Sequence, residues 1–254
     1  MKRFITNSNV LYTLGLILVL AIWWIISLSQ GAGNLVFPSP ISTCAALGKL
    51  FSSAFFYESL GMTLLRTLEG FGFSFALAFL LGTLSGEIPP LQRLFKPFVL
   101  VLKSVPTAAL VFFFLVYSGS EMAPVWIVSI LAFPILYESF VSGINAIPWE
   151  IKQSAKVDQA SFLSSALRIK VPLALPYVLL GILNSFALSF KTEIMAEIIA
   201  GQTSPGLGSA IRVYRSMDPS DLSPIFAISL VAIVIVLLLD LITYLLSLRF
   251  KREK

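Results

Sequence analysis

Long apolar stretches separated by short charged clusters run the length of the chain. The uncharged runs are Phe4–Gly48, Gly70–Gly86, Ser104–Ser120, Met122–Tyr137, Val171–Phe190 and Leu222–Leu239, and the first has an apolar core from Val10 to Ser29. A membrane-crossing helix needs about 20 residues, with about 17 as the lower end. Some of these runs reach that length only with a flanking charge at the interface. The pattern predicts six spans, over 10–29, 62–86, 104–120, 122–143, 171–197 and 222–246. The uncharged run Ile198–Ile211 is rich in Gly, Ser and Pro and predicts a loop. Glu87–Lys103 also predicts a loop. In Ile41–Tyr57, Ala46, Leu47, Leu50, Phe51, Ala54 and Phe55 recur at helical spacing around Lys49, Ser52 and Ser53. That pattern fits a short helix on the outer membrane face or a partly buried connecting helix. In Asn145–Lys170 the periodic residues Ile151, Ala155, Phe162, Leu163, Ala166 and Leu167 are interrupted at Asp158-Gln159-Ala160-Ser161. Two short helices with a turn are expected there, too small for a domain but suited to docking another protein.

Composition agrees with this pattern. Of 254 residues, 57% are hydrophobic and 12% charged, and the mean hydropathy is +0.91. Soluble domains carry about 25% charged residues, so a soluble enzyme, a disordered regulator and a coiled coil are excluded. The fold class is all-α, a polytopic transmembrane helical bundle forming a single domain over 1–254. No histidine is present, which removes His-ligated metals, Ser-His-Asp catalysis and imidazole relays. The single cysteine, Cys44, excludes an internal disulfide or a Cys cluster. No catalytic residue and no metal site is expected.

Charge sets the orientation. With the N-terminus in the cytoplasm and six alternating spans, thirteen of the 18 Lys and Arg residues fall inside and three outside, with Arg66 and Lys191 in or near spans. That bias follows the positive-inside rule and predicts cytoplasmic N- and C-termini. The net charge of +5 is therefore assigned to membrane orientation, with no nucleic-acid partner. Lys2 and Arg3 ahead of a core longer than a signal peptide's usual 7–15 residues predict an uncleaved signal anchor.

Few polar residues lie within the spans. Arg66 and Glu69 stand three apart on one helical face and are expected to pair. Lys191, Glu193 and Glu197 lie at the outer end of the fifth span; Glu193 and Glu197 share a face, and Lys191 diverges. Charges within a bundle are functional candidates. Lys191, Glu193, Glu197 and Arg66 are read as translocation pathway or gate, against an interfacial pairing of the carboxylates with Arg66 or Arg212. Pro106, Pro124 and Pro134 predict kinks. A proton relay through Glu193 and Glu197, as in a secondary ion-coupled transporter, would call for inverted repeats, and no clear repeat is present.

The segment QSAKVDQASFLSSALRIKVP resembles the EAA signature of binding-protein-dependent ABC importer permeases. The family pattern is Glu-Ala-Ala, three residues, Gly, nine residues, Ile, any residue, Leu-Pro. Gln153, Ser154 and Ala155 stand in the first positions, Gln159 in the Gly position, and Ile169, Val171 and Pro172 at the end. The spacing is intact; Ala155, Ile169 and Pro172 match the pattern. Asp158 and Glu150 are candidates to replace the lost Glu charge, and Ala160 the close packing of the Gly. SVPTAALVFFFLVYSGSEMAP, AFPILYESFVSGINAIP, the outer-loop PSP and FKTEIMAEIIAG followed by GLG resemble the sulfonate/nitrate/taurine branch, so the similarity covers roughly residues 10–248.

The resemblance implies the type I ABC importer permease fold in the bacterial plasma (inner) membrane. It implies a homodimer with a second permease copy, two ABC ATPase subunits and an extracytoplasmic substrate-binding protein. The coupling segment, 145–170, would contact the ATPase through Gln153, Ser154, Ala155, Asp158, Gln159, Ala160, Ile169 and Pro172. Gly206 and Gly208 permit close backbone approach and are read as a binding-protein contact, against a plain loop turn, which their spacing alone favours. Substrates implied are sulfonates, nitrate, taurine or pyrimidine-type vitamin precursors. No P-loop is present: the only Gly-Lys pair, Gly48-Lys49, is followed by Leu50. No cofactor is expected in this chain, and ATP with Mg would bind the partner ATPase.

Overall fold

The computed structural model describes residues 8–29, 37–148, 150–151 and 170–252. These residues are overwhelmingly helical and contain no strand. The helices are α1 (Ser8–Ser29), α2 (Pro40–Phe51), α3 (Ala54–Glu87), α4 (Pro89–Ser104), α5 (Thr107–Asn145), α6 (Val171–Ala200), α7 (Leu207–Met217) and α8 (Ser223–Arg252). The chain divides into two compact units, one of residues 1–57 and 210–231, the other of 58–209 and 232–254.

In the first unit, α2 starts where its sequence supplies a cap. The Ser39 hydroxyl accepts from the Ser42 N–H at 3.1 Å, and Pro40 opens the first turn, where a missing N–H costs nothing. Thr43, Ala46 and Leu50 form the buried face of α2. The Trp23 indole N–H donates to the Pro38 carbonyl at 3.0 Å, and Phe226 packs against Trp23 and Phe37. These contacts give Trp23 a structural task that the sequence did not assign. Along α1, Leu14, Leu16, Leu18 and Leu20 are exposed, the surface a lipid-facing helix presents.

The second unit is organised by close packing of α3, α5 and α6. Gly70, Ser74, Ala78, Gly82 and Gly86 recur every four residues along α3 and are all buried. Such a stripe lets helix backbones approach closely in a membrane. A Cβ on Gly82 would lie 2.7 Å from Phe140 Cβ, and one on Gly70 would lie 2.5 Å from the Val125 carbonyl oxygen. Phe71, Val128, Leu136, Phe140 and Ile144 fill the core around this seam. The Gly82→Leu variant is expected to lose about 1–3 kcal/mol by overpacking, measured as thermal unfolding in detergent; unchanged stability would contradict the seam.

Four described helices are long and apolar enough to cross a membrane: α3, α5, α6 and α8 over Ser223–Leu248. The shorter apolar stretch Thr13–Ser29 lies in α1. The sequence separates 104–120 from 122–143, whereas 107–120 and 122–143 both fall within α5. At ~1.5 Å per residue its 39 residues would reach ~58 Å, about twice the hydrocarbon thickness. Gly119 breaks the run: its φ of 78° and ψ of 173° are not helical. This single-residue break lies two residues before Glu121, which separates the two apolar runs in the sequence.

Two expected loops are corrected. Glu87–Lys103 is mostly helix α4, because Pro89 and Pro90 occupy its first turn, where proline initiates a helix instead of breaking one. Within Ile198–Ile211, α6 continues to Ala200, Gly201 closes it with a left-handed φ of 71°, and α7 begins at Leu207. Only residues 201–206 are irregular.

Candidate functional site

One end of the second unit carries a buried polar cluster built on α3. Thr63, Arg66 and Thr67 lie at i, i+3 and i+4, and all three are buried. The expected partner of Arg66 was Glu69. The structure corrects this: Glu69 is exposed, and the Arg66 guanidinium turns inward to Glu197 of α6, Nη1 lying 3.1 Å from Oε1. The reason is rotation about α3, since Arg66 falls on the buried face and Glu69 does not.

Glu197 is fully buried and its carboxylate is well supplied with donors. The Thr63 hydroxyl donates to it at 2.9 Å, and the Gly208 N–H donates to Oε2 at 2.7 Å. Thr63 in turn accepts from the Leu207 N–H at 2.8 Å, so the first residues of α7 are tied to α3 and α6 together. A Cβ on Gly206 would lie 2.6 Å from Glu197 Oε1, and one on Gly208 would lie 2.5 Å from the Ile194 carbonyl oxygen. Both glycines are buried. Their observed task is internal: they bring backbone against the carboxylate.

Arg66 also holds the connection between α6 and α7. Nη1 donates to Gln202 Oε1 at 3.2 Å and to the Pro205 carbonyl at 2.9 Å; Nη2 donates to Ser204 Oγ at 2.5 Å. Glu121 on α5 grips the same loop from another side. It accepts from the Thr203 N–H at 3.1 Å, the Thr203 hydroxyl at 3.0 Å and the Ser204 hydroxyl. Its Oε2 is 3.7 Å from Arg66 Nη2. Gln202 closes the ring by donating to the Glu121 carbonyl at 3.1 Å. One guanidinium thus joins two carboxylates and a six-residue loop, with the side chains of Arg66, Glu197 and Gln202 out of water.

The other residues singled out from sequence separate. Glu193 is fully buried, one turn before Glu197 on the same face, and neither carboxylate oxygen has a hydrogen-bond partner. Lys191 is exposed and does not join the cluster. Pro172 sits in the first turn of α6. Gln153, Ser154, Ala155, Asp158, Gln159, Ala160 and Ile169 lie outside the described residues. Thr63, Glu121, Gln202 and Ser204 were not anticipated. Glu121 had a legible signal, a lone acid between two apolar runs. At the opposite end of α3, Lys170 donates to Glu87 at 2.5 Å, with their side chains 4% and 8% exposed.

The family model described as "Binding-protein-dependent transport system inner membrane component" matches residues 78–252. The chain belongs to this family. It is an inner-membrane permease subunit of a binding-protein-dependent ABC importer, and it crosses the membrane more than once. The permease is 25% identical over 204 residues to the putative aliphatic sulfonates transport permease protein SsuC of Bacillus subtilis, covering 80% of this chain and 73% of that one. It is 27% identical over 200 residues to the nitrate import permease protein NrtB of Synechococcus elongatus, covering 74% and 71%. These relatives fall in the branch that the sequence motifs resemble. Among solved structures, an amino acid ABC transporter crystallised with histidines has a TM-score of 0.63 at 19% identity, covering 80% of the permease and 97% of that chain; this similarity supports the fold. Family membership decides against the ion-coupled alternative.

Proposed function

We propose that the permease is one half of a homodimeric translocation unit, with six spans in one domain over 1–254 and both termini in the cytoplasm. The charge bias between alternate loops supports that topology. Two ATPase subunits with bound ATP and Mg drive it, docking on the segment 145–170 through Gln153, Ser154, Ala155, Asp158, Gln159, Ala160, Ile169 and Pro172. A binding protein delivers substrate at the outer face, near the 201–206 loop and Gly206 and Gly208. An anionic solute of the sulfonate or nitrate kind is the substrate class that the relatives' names suggest.

The observation that carries the gate assignment is the Arg66 clasp, in which one buried cation fastens α3, α5, α6 and the 201–206 loop. Charges in a bundle mark moving or conducting parts. Arg66, Glu197 and Glu121 form the closure; Glu193 belongs to the same gate, and Lys191 is placed at its margin. At the inner end the Lys170–Glu87 pair links the close of the coupling segment to α3.

The coupling assignment is tested by co-purification. The Ala155→Trp and Asp158→Lys variants are expected to lose the ATPase subunits at least tenfold while remaining folded and membrane-inserted. Undiminished association in both variants would refute docking on this segment.

A further inference from the structure

Glu193 is an anomaly in an otherwise satisfied cluster. It is fully buried, yet both of its oxygens lack a donor. Buried polar groups are nearly always paired, and an ionisable group within a membrane bundle marks a functional position. The charged groups close enough to act on it are Arg66 and Glu69 of α3 and Glu197 of its own helix, of which Glu69 lies on the exposed side of α3. Arg66 is the one donor among them. We propose that Arg66 is the moving part of a two-position latch: Glu197 and Glu121 hold its guanidinium in the present state, and Glu193 receives it when the 201–206 loop is released.

Three features make the exchange feasible. Glu193 precedes Glu197 by four residues on one face of α6, a displacement of about 6 Å, within the reach of an arginine side chain pivoting on α3. The present acceptors keep other donors when Arg66 leaves. Glu197 retains the Thr63 hydroxyl and the Gly208 N–H, and Glu121 retains Thr203 and Ser204. Glu193 has none to lose and two unfilled oxygens to offer. The loop, by contrast, forfeits the Arg66 bonds to Gln202, Ser204 and Pro205 in one step. A small displacement of one side chain thereby frees a whole connection, as bistable packed elements allow. An exchange of partners between two carboxylates also keeps the cation compensated throughout, which a buried guanidinium requires.

The latch rests on the gate proposed above, and the test separates the two. Spin labels are placed at Met122 and Thr203, in a background with Cys44 replaced by serine, in the complete importer reconstituted with its ATPase subunits and binding protein. Distances between the labels are measured without nucleotide and with Mg-ATP plus vanadate. The otherwise native importer is expected to show a second, longer distance population on trapping. The Glu193→Gln and Glu193→Leu variants are expected to reduce that population at least fivefold. The Leu variant is also expected to unfold at a higher temperature, since it removes an unpartnered polar group. Greater stability with lost motion is the opposite of what a merely structural residue would show. Full opening in both Glu193 variants overturns the latch and leaves the gate standing. No nucleotide-driven change even with Glu193 present overturns the gate, and the latch with it.

Discussion

Replacing Glu197 with leucine while Arg66 remains is expected to destabilise the permease by about 2–3 kcal/mol, less than the full ~3–5 kcal/mol of stranding a buried charge, because Glu121 still lies 3.7 Å from the guanidinium. The pair is 3.1 Å apart, with side chains 8% and 0% exposed. The variant strands more than the guanidinium. The Gly208 N–H loses its acceptor and the Thr63 hydroxyl loses its bond, each an unmet buried donor. The double variant Arg66→Met with Glu197→Leu is expected to lose less than the sum of the two single variants, because replacing both charges removes their desolvation penalty while the Gly208 N–H and Thr63 hydroxyl stay unmet. A double-mutant cycle by thermal or denaturant unfolding in detergent measures the coupling. Losses under about 0.5 kcal/mol for the single variant would mean that the cation is not held as described.

At the other end of α3, the Lys170→Met variant is expected to cost ~3–5 kcal/mol. It leaves the Glu87 carboxylate 8% exposed without its cation, and Glu87 Oε1 already lacks a partner. The exchanged pair Glu87→Lys with Lys170→Glu is expected to restore much of the stability. Exposed pairs behave differently. Lys103 and Glu138 form a contact with side chains 40% and 50% exposed, and their removal is expected to change stability by less than about 1 kcal/mol. Comparing the two pairs in the same detergent isolates the contribution of burial.

Much of this architecture was legible from the order of apolar runs, because a membrane-crossing helix announces itself by length and hydropathy alone. The branch of the family was equally legible, since its motifs depend on spacing that survives substitution. Partner choice was not. Arg66 has an acid three residues away, and local spacing favours Glu69; the observed partner Glu197 is 131 residues distant. Only the packing of α3 on α6 selects it. Glu121 served as a boundary between runs, yet its carboxylate caps a loop 82 residues later. Glu87–Lys103 reads as a loop in the sequence, whereas Pro89 and Pro90 occupy the first turn of α4, where proline starts a helix. Gly206 and Gly208 were visible as glycines, but not that a carboxylate would occupy the space a Cβ needs.

The four-residue stripe of α3 has a further consequence. Inside a bilayer, lipid tails solvate leucine as well as another helix does, so oil-like attraction between helices vanishes and cohesion rests on fit. Where Gly70 and Gly82 leave α3 bare, Val125 and Phe140 of α5 enter the gap directly. The joint resembles a dovetail more than a glued seam. Short-chain detergents, whose slim tails wedge into such joints, are therefore expected to loosen the permease sooner than bulky ones that cannot enter.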